Sequence, residues 1–140
     1  MKYKAIDSKK FFEIKNQMPD SLAVFLSDYN ADEYNEMGAT CYLSKDEKSG
    51  YAIKPDGDLI SVFSLPGAKQ GAAAVKSAIK NGAKMLDCIG GFLSIYYRKF
   101  GFVEYKRIAW DDQYAPKNWD YDKYNRPDII FMELKKSNKR

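Results

Sequence analysis

Hydrophobic and polar positions follow a helical spacing in two parts of the first forty residues. Residues 8–18 carry apolar side chains near helical spacing and predict a first helix, with Ser8 as its N-cap. The short apolar run 22–26 fits a strand. Residues 30–37 offer Asn30 as a cap and acidic residues in the first turn, which predicts a second, short helix.

Three strand-like runs come next, separated by short polar segments. The runs 41–44, 50–54 and 59–64 are rich in β-branched and aromatic residues. The segments between them, KDEKS and PDGD, have the composition of tight turns. Two successive hairpins of this kind predict an antiparallel sheet.

After Pro66 the pattern alternates between helix and strand. Residues 71–84 predict a helix that ends near Gly82. The remaining elements are predicted as a strand at 85–88, a helix at 92–100 that ends before Gly101, and strands at 102–110 and 128–134. This order predicts an α/β protein, a three-layer α/β sandwich with a mixed, mostly antiparallel central sheet.

Composition narrows the chemistry of the chain. It has 140 residues and no histidine, which excludes Ser-His-Asp and Cys-His catalysis and any histidine metal site. The two cysteines, Cys41 and Cys88, are too few for a thiolate zinc site or a disulfide scaffold, so no metal is expected. Acid–base chemistry must therefore use Tyr, Asp, Glu, Lys, Cys, the backbone or water.

Length and charge indicate the setting in which the chain works. A single domain is expected over residues 1–140, with a frayed basic tail at 135–140. The charged N-terminus and the absence of a long apolar run predict a cytoplasmic protein that does not enter membranes. The net charge of +4 is mild and evenly spread, so no specific nucleic-acid binding is expected. A monomer and a homodimer both fit.

A tight loop joins the strand at 59–64 to the helix that begins at Gly71. Backbone N–H groups at Gly71 to Ala73 have no helical acceptor and lie at the positive end of the helix dipole. Gly67 and Gly71 allow close approach to the backbone, and Lys69 adds a positive charge. The loop is either a pyrophosphate cradle or an ordinary strand-to-helix turn with small residues.

Two motifs in this region resemble the GCN5-related N-acetyltransferase (GNAT) family. In the family motif R/Q-x-x-G-x-G/A, Ala68 takes the first position, Gly71 the glycine and Ala73 the last. The family motif L-Y-E-K-L-G-F reads YYRKFGF over residues 96–102, and the resemblance spans about 41–134. The segments YAPKNWDY and RPDIIFM are also similar to short acetyltransferase-like proteins of bacteria and their phages.

The resemblance implies a GNAT-like acyl-CoA N-acyltransferase fold. It also implies that the protein transfers an acetyl group from acetyl-CoA to an amine on a small molecule or a protein. A backbone N–H near Phe63 would polarise the acetyl carbonyl. The donor-binding residues that it implies are Val62, Phe63, Ser64, Ala68, Lys69, Gln70, Gly71, Ala72 and Ala73.

Two positions depart from the family pattern. Ala68 replaces an Arg or Gln that helps to hold the donor, for which Lys69 or Gln70 could compensate. Gly90 stands where many members have an asparagine. These departures leave open a second interpretation, a catalytically degenerate relative that acts through protein–protein contacts as an inhibitor or accessory factor.

The resemblance also suggests a catalytic acid. Tyr97 matches the tyrosine that protonates the departing CoA thiolate, and a phenol with a pKa of about 10 can do so at neutral pH. It could equally be a packing residue on its helix. Asp87 and Glu104 are candidate bases for an amine acceptor, or simply paired or solvated carboxylates. Cys88 is a reactive thiol or a small buried side chain.

Aromatic and acidic residues are concentrated in the segment 110–128, WDDQYAPKNWDYDKYNRPD. In the family this connection lies beside the acceptor cleft. Its aromatic faces and carboxylates suit a cationic or aromatic guest, and the predicted substrate loop comprises Trp110, Tyr114, Trp119 and Tyr121. The alternative is a packed loop that covers a sheet edge or forms a dimer contact.

Overall fold

A computed structural model describes residues 1–26 and 29–135 of the chain. The strands are β1 (Tyr3–Ile6), β2 (Thr40–Ser44), β3 (Ser49–Ile53), β4 (Leu59–Ser64), β5 (Met85–Ile89), β6 (Phe102–Ile108) and β7 (Ile129–Leu134). The helices are α1 (Ser8–Lys15), α2 (Asp20–Ala23), α3 (Ala31–Glu36), α4 (Gly71–Lys80), α5 (Phe92–Arg98) and α6 (Tyr121–Tyr124). Residues 136–140 of the predicted basic tail lie outside the described part of the chain.

The strands form two antiparallel sheets that meet at one point. The first sheet has the order β1-β2-β3-β4, and the second has the order β5-β7-β6. Within the described residues the sheets are joined by a parallel bridge between Asp58 and Met85, at the start of β4 and β5. Pairing between β4 and β5 does not continue beyond this bridge in the described residues, so a cleft forms between them.

Helices cover both faces of these sheets. On one face α4 and α5 pack over both sheets, and the buried core there includes Tyr51, Leu59, Val75, Leu86, Phe102 and Met132. On the other face α1 and α3 cover the first sheet, and the buried core there includes Phe11, Tyr34, Cys41, Leu43, Ala52 and Phe63. The predicted three-layer α/β sandwich is therefore confirmed. None of the helices in residues 1–26 and 29–135 is long and apolar enough to span a membrane.

In the N-terminal segment one prediction was wrong and one strand was not predicted. The run 22–26 is not a strand, because α2 begins directly after Pro19. The Pro19 carbonyl accepts hydrogen bonds from the backbone amides of Leu22 and Ala23. Strand β1 was not predicted, since four residues alone carry little periodicity and this strand forms by pairing with β2.

Helix starts in this segment show which capping signals operate. Asp7, rather than Ser8, caps α1, and its carboxylate accepts the Lys10 amide at 2.9 Å. Ser8 instead donates to Asn35 Oδ1 at 2.8 Å and so joins α1 to α3. The predicted cap at Asn30 is confirmed and forms a complete capping box with Glu33.

Strand β4 contains a bulge at the edge of the cleft. Gly50 pairs with Phe63 and Ala52 pairs with Ile60, so Ser61 and Val62 both lie opposite a single residue of β3. Ser61 is left-handed, with φ +56°, which is uncommon for a residue other than glycine. Its Oγ lies 2.6 Å from the buried hydroxyl of Tyr34 on α3. A helix of the outer layer thus supports the distorted strand.

This arrangement makes a prediction about stability. Ser61→Ala removes the hydrogen bond to Tyr34 and retains the left-handed strain, whereas Ser61→Gly removes the bond and relieves the strain. We expect Ser61→Gly to exceed Ser61→Ala in free energy of unfolding by about 1 kcal/mol, measured by urea denaturation. Equal stability of the two variants would show that the conformation of Ser61 does not matter.

Candidate functional site

A small cavity lies in the cleft between β4 and β5. Its volume is about 70 Å³, enough for a few water-sized groups. Residues 59–62 of β4 and 86–88 of β5 form its sides, and Phe25, Leu93 and Tyr97 close it. The cavity lies beside the bulge at Ser61, so backbone and side chains from three elements converge on the same space.

Tyr97 reaches this cavity from α5. Its ring packs edge-on against Phe102, with the centroids 6.1 Å apart. Burial raises the pKa of Tyr97 well above its ordinary value, and Cys88 and Tyr96 add to the shift, so the hydroxyl is protonated at neutral pH. Within the described residues this hydroxyl makes no side-chain hydrogen bond. Its proton is available to a group that enters the cleft.

Asp87 lines the same cavity from β5. Alternation along the strand directs Leu86 and Cys88 toward α4 and α5 and directs Asp87 toward the opposite face. Asp87 is exposed at the mouth of the cavity, but desolvation by the surrounding protein raises the pKa of its carboxyl above the ordinary value, while Lys54 acts in the opposite direction. A carboxylate with a raised pKa is a better proton acceptor than an ordinary aspartate.

Glu104 and Cys88 have different surroundings. Glu104 lies on β6, where Arg107 binds it with an Nη2–Oε1 distance of 2.6 Å, and this contact holds its pKa below the ordinary value. Cys88 lines the cleft, but burial raises the pKa of its thiol to about 12, with a further contribution from Asp87. Such a thiol is not a nucleophile at neutral pH. Of the two predicted bases, Asp87 is the one that borders the cleft.

The loop before α4 is held in shape by Gln70. Its backbone amide donates to Ser64 Oγ at 3.0 Å. Its side-chain Oε1 accepts from Ser49 Oγ at 2.6 Å, and its side-chain Nε2 donates to Asp46 Oδ2 at 2.8 Å. Gln70 is buried, so it supports the loop from below and is not free to compensate for Ala68. Lys69 is exposed and left-handed, with φ +55°.

The first turn of α4 offers unused hydrogen-bond donors. Ala74 is the first residue whose amide bonds back, to the carbonyl of Gln70 at 3.0 Å, and the amides of Gly71, Ala72 and Ala73 have no acceptor among the described residues. A Cβ on Gly71 would lie 3.1 Å from the Tyr96 hydroxyl oxygen. The three amides, the small side chains and Lys69 fit a diphosphate group.

The other residues predicted for donor binding occupy different environments. Val62 lines the cleft, whereas Phe63 is buried against Phe11 on the opposite face, so only its backbone could reach a ligand in the cleft. The hydroxyl of Ser64 accepts the Gln70 amide, and Ala68 is half-buried in the loop. Val62 therefore borders the site directly, whereas Phe63, Ser64 and Ala68 shape the strand and loop around it.

The segment 110–128 separates into two groups of aromatic residues. Trp110 and Tyr114 line a second cavity of about 280 Å³, which Asp87 also borders. Trp119 is only 8% exposed, and its indole N–H donates to the Asn125 carbonyl at 2.9 Å. The Tyr121 hydroxyl donates to Asp112 at 3.2 Å, outside both cavities. The structure thus brings together two of the four residues predicted as a substrate loop.

Phe25 contacts both the cleft and this segment, and sequence reasoning missed it. Its ring lies edge-on to Trp119, Tyr124 and Phe92, with centroids 5.5, 5.1 and 5.1 Å away. The available signal was an aromatic side chain inside the apolar run 22–26. Nothing local to that run indicates which distant rings it meets.

Comparison with known proteins gives matches in structure and none in sequence. No protein-family model matches the chain, and no curated protein matches it either. The ribosomal-protein-alanine N-acetyltransferase of Brucella melitensis superposes with a TM-score of 0.57 at 16% identity, over 94% of this chain and 98% of that one. The IAA acetyltransferase of Bacillus cereus gives 0.58 at 16% identity, over 95% and 97%. The chain has the GNAT fold.

A third structure with this fold contains a ligand. It is an acetyltransferase of Bacillus subtilis in complex with CoA, with a TM-score of 0.51 at 20% identity, over 86% of this chain and 94% of that one. The likeness extends over nearly the full length of all three structures. The GNAT fold seen in these structures agrees with the fold that the two sequence motifs imply.

The free amides of α4 make a prediction about ligand binding. Gly71→Asp places a side chain against Tyr96 and a negative charge where a diphosphate would lie, so we expect acetyl-CoA to raise the melting temperature of the parent and not of the variant. Lys76→Asp, on the exposed surface one turn further along α4, is the control for charge and should retain the shift. A folded Gly71→Asp variant that still responds to acetyl-CoA would place the cradle elsewhere.

The two groups of aromatics make a further prediction. Trp119→Ala removes a buried ring and should lower the free energy of unfolding by about 3 kcal/mol, measured by urea denaturation. Tyr114 is 78% exposed, so Tyr114→Ala should change it by less than about 0.5 kcal/mol. If both variants were as stable as the parent, Trp119 would have no structural role, and the prediction that it belongs to the substrate loop would stand.

Proposed function

We propose that the protein is an N-acetyltransferase that transfers an acetyl group from acetyl-CoA to an amine. The observation that carries this proposal is the convergence on one cleft of the Tyr97 hydroxyl and the Asp87 carboxylate, next to the first turn of α4. The Tyr97 hydroxyl is protonated, and neither it nor the amides of Gly71 to Ala73 has a hydrogen-bond partner in residues 1–26 and 29–135. The GNAT fold supports the proposal, because two N-acetyltransferases superpose over nearly the full length of the chain.

Donor binding would use the loop and the bulged strand. The amides of Gly71 to Ala73 would hold the diphosphate, and Lys69 would add charge attraction. The acetyl thioester supplies an activated carbonyl carbon for attack by the amine. A backbone N–H of β4 near Phe63 would stabilise the negative charge that develops on the carbonyl oxygen, and the bulge at Ser61 holds that part of the strand in place.

Proton transfers would use the two side chains that border the cleft. Asp87 would take a proton from the attacking amine, because an ammonium with a pKa of about 10.4 is not a nucleophile. Tyr97 would give its proton to the departing thiolate. The new carbon–nitrogen bond forms as the carbon–sulfur bond breaks, and the products are an amide and CoA with a free thiol.

The alternative is a catalytically degenerate protein with the same fold. Gly90 was one argument for it, but the structure gives Gly90 a packing role. A Cβ there would lie 2.8 Å from the Asp128 carbonyl oxygen, and the Gly90 amide donates to that oxygen at 2.8 Å. An asparagine does not fit this backbone, so the glycine is explained without loss of activity. Ala68 alone remains in favour of the alternative.

The proposal includes an acceptor amine on a small molecule or on a protein. It also includes acetyl as the acyl group that is transferred. The cytoplasmic location, the bacterial or phage origin, and the monomeric or homodimeric state stay predictions from the sequence. A protein partner other than a substrate would follow only from the degenerate alternative.

The general-acid role predicts a selective kinetic defect. Tyr97→Phe removes the proton donor and keeps the ring against Phe102, so kcat should fall by roughly 10²- to 10⁴-fold while the affinity for acetyl-CoA is unchanged. The measurement is steady-state acetyl transfer to a panel of amines, with calorimetry of acetyl-CoA binding. Tyr105→Phe, at an exposed tyrosine on β6, is the matched control. An unchanged kcat with chemistry rate-limiting would leave Tyr97 as a packing residue.

A further inference from the structure

The second cavity lies on the face of the β5-β7-β6 sheet that α4 and α5 do not cover. We call it the Asp87 pocket. Its floor is a row of three isoleucines, because Ile89 of β5 pairs with Ile129 of β7, which in turn pairs with Ile108 of β6. Trp110 and Tyr114 form its aromatic wall. The floor and the wall give a guest a mainly apolar surface.

The charge of the pocket has one sign. Asp87 and Asp111 line it, and none of the described lysines or arginines does. The Asp111 carboxylate already accepts the amide of Gln113 at 2.9 Å. Lys54, the cation that acts on Asp87, is ion-paired with Asp58 at 3.3 Å. Asp87 itself has no ion-pair partner within 4.0 Å among the described residues, so it is the carboxylate that a cationic guest would meet.

Asp87 also connects the pocket to the cleft. It borders the cavity between β4 and β5 as well as the Asp87 pocket. A cation held at Asp87 therefore lies next to the space in which the acetyl group would lie. Its remaining atoms would extend over the isoleucine floor toward Trp110 and Tyr114, away from Tyr97, which closes the cleft from the α5 side.

We propose that the Asp87 pocket binds the acceptor and that this acceptor is a small primary amine on an apolar or aromatic body, with the ammonium at Asp87 and the body against Trp110 and Tyr114. The proposal rests on the acetyl transfer proposed above. The volume of about 280 Å³ is just below the usual range for small-molecule sites, which favours a small acceptor. A polyamine fits poorly, because its further ammonium groups would lose water over an apolar floor.

The transfer step follows from this position. The ammonium gives one proton to Asp87, and the nitrogen lone pair forms the bond to the acetyl carbon. The carbon–sulfur bond of the thioester breaks, and the sulfur receives the proton of Tyr97. The second proton on nitrogen is lost as the amide forms, and it restores the Tyr97 hydroxyl through solvent.

The test is calorimetric titration of the whole protein with phenethylamine, without CoA. We expect binding to the parent and a dissociation constant about tenfold higher or more for Asp87→Asn, because a charge-assisted contact is lost. Tyr114→Ala should also weaken phenethylamine, and this exposed position should not affect folding. Asp122→Asn, an exposed carboxylate of the same segment outside the pocket, is the matched control and should bind like the parent.

Two further probes, the neutral phenylethanol and the polyamine spermidine, distinguish the alternatives. Phenylethanol should bind more weakly than phenethylamine to the parent and be unaffected by Asp87→Asn. Equal affinity of Asp87→Asn and the parent for phenethylamine would overturn the proposal, as would tighter binding of spermidine than of phenethylamine. If Asp87→Asn does not fold, the Tyr114→Ala comparison decides, since an unchanged affinity there would also overturn it.

Titration with CoA distinguishes this proposal from the proposed function. If phenethylamine binding depends on Asp87 but the protein does not bind CoA, the pocket proposal stands and the proposed acetyl transfer is overturned. If the protein binds CoA but its affinity for phenethylamine does not depend on the Asp87 pocket, the donor site stands and the proposed acceptor is overturned.

Discussion

The separation of β4 from β5 is the constraint on which the candidate site depends. The two strands are held at one end by the Asp58–Met85 bridge and by the amides of Lys84 and Met85, which donate to the Gly57 carbonyl at 2.8 and 3.3 Å. Beyond that end the described residues show no further bridge between them. The bulge at Ser61 bends β4 where the strands part. Backbone groups that would otherwise pair across the sheet can therefore bind a ligand instead.

The same separation allows both faces of the sheet to reach one point. Tyr97 comes from α5 on one face, and Asp87 extends toward the other because side chains alternate along β5. Both border the cleft. Loss of solvent keeps the Tyr97 hydroxyl protonated and raises the pKa of Asp87. In the proposed transfer Tyr97 would be the acid and Asp87 the base. A donor and an acceptor could thus enter from opposite sides.

Aromatic packing fixes the segment that follows β6. Trp119 lies between Trp110, Tyr124 and Phe25, with ring centroids 4.8, 5.2 and 5.5 Å away. Phe25 comes from the N-terminal part of the chain, so this contact ties that part to the segment that follows β6. The segment can then be part of a binding pocket although α6 and one short 3-10 turn are its only regular structure among the described residues, because buried rings set its backbone position.

Most of the elements and the α/β class are predictable from local sequence, because the strand runs 41–44, 50–54 and 59–64 and the helix at Gly71 have strong periodicity and clear turn signals. It also placed the unused amides of α4, which depend only on where a helix begins. Tertiary structure alone decided that β1 is a strand, that Gln70 supports its loop, that Glu104 is neutralised by Arg107, and that Trp119 is buried while Tyr114 is exposed. The Glu104–Arg107 pair lies within β6, where the register shift between Glu104 and Lys106 is set by pairing with β7. The other features depend on contacts between residues that are distant in sequence or lie on different elements, and local spacing does not encode such contacts.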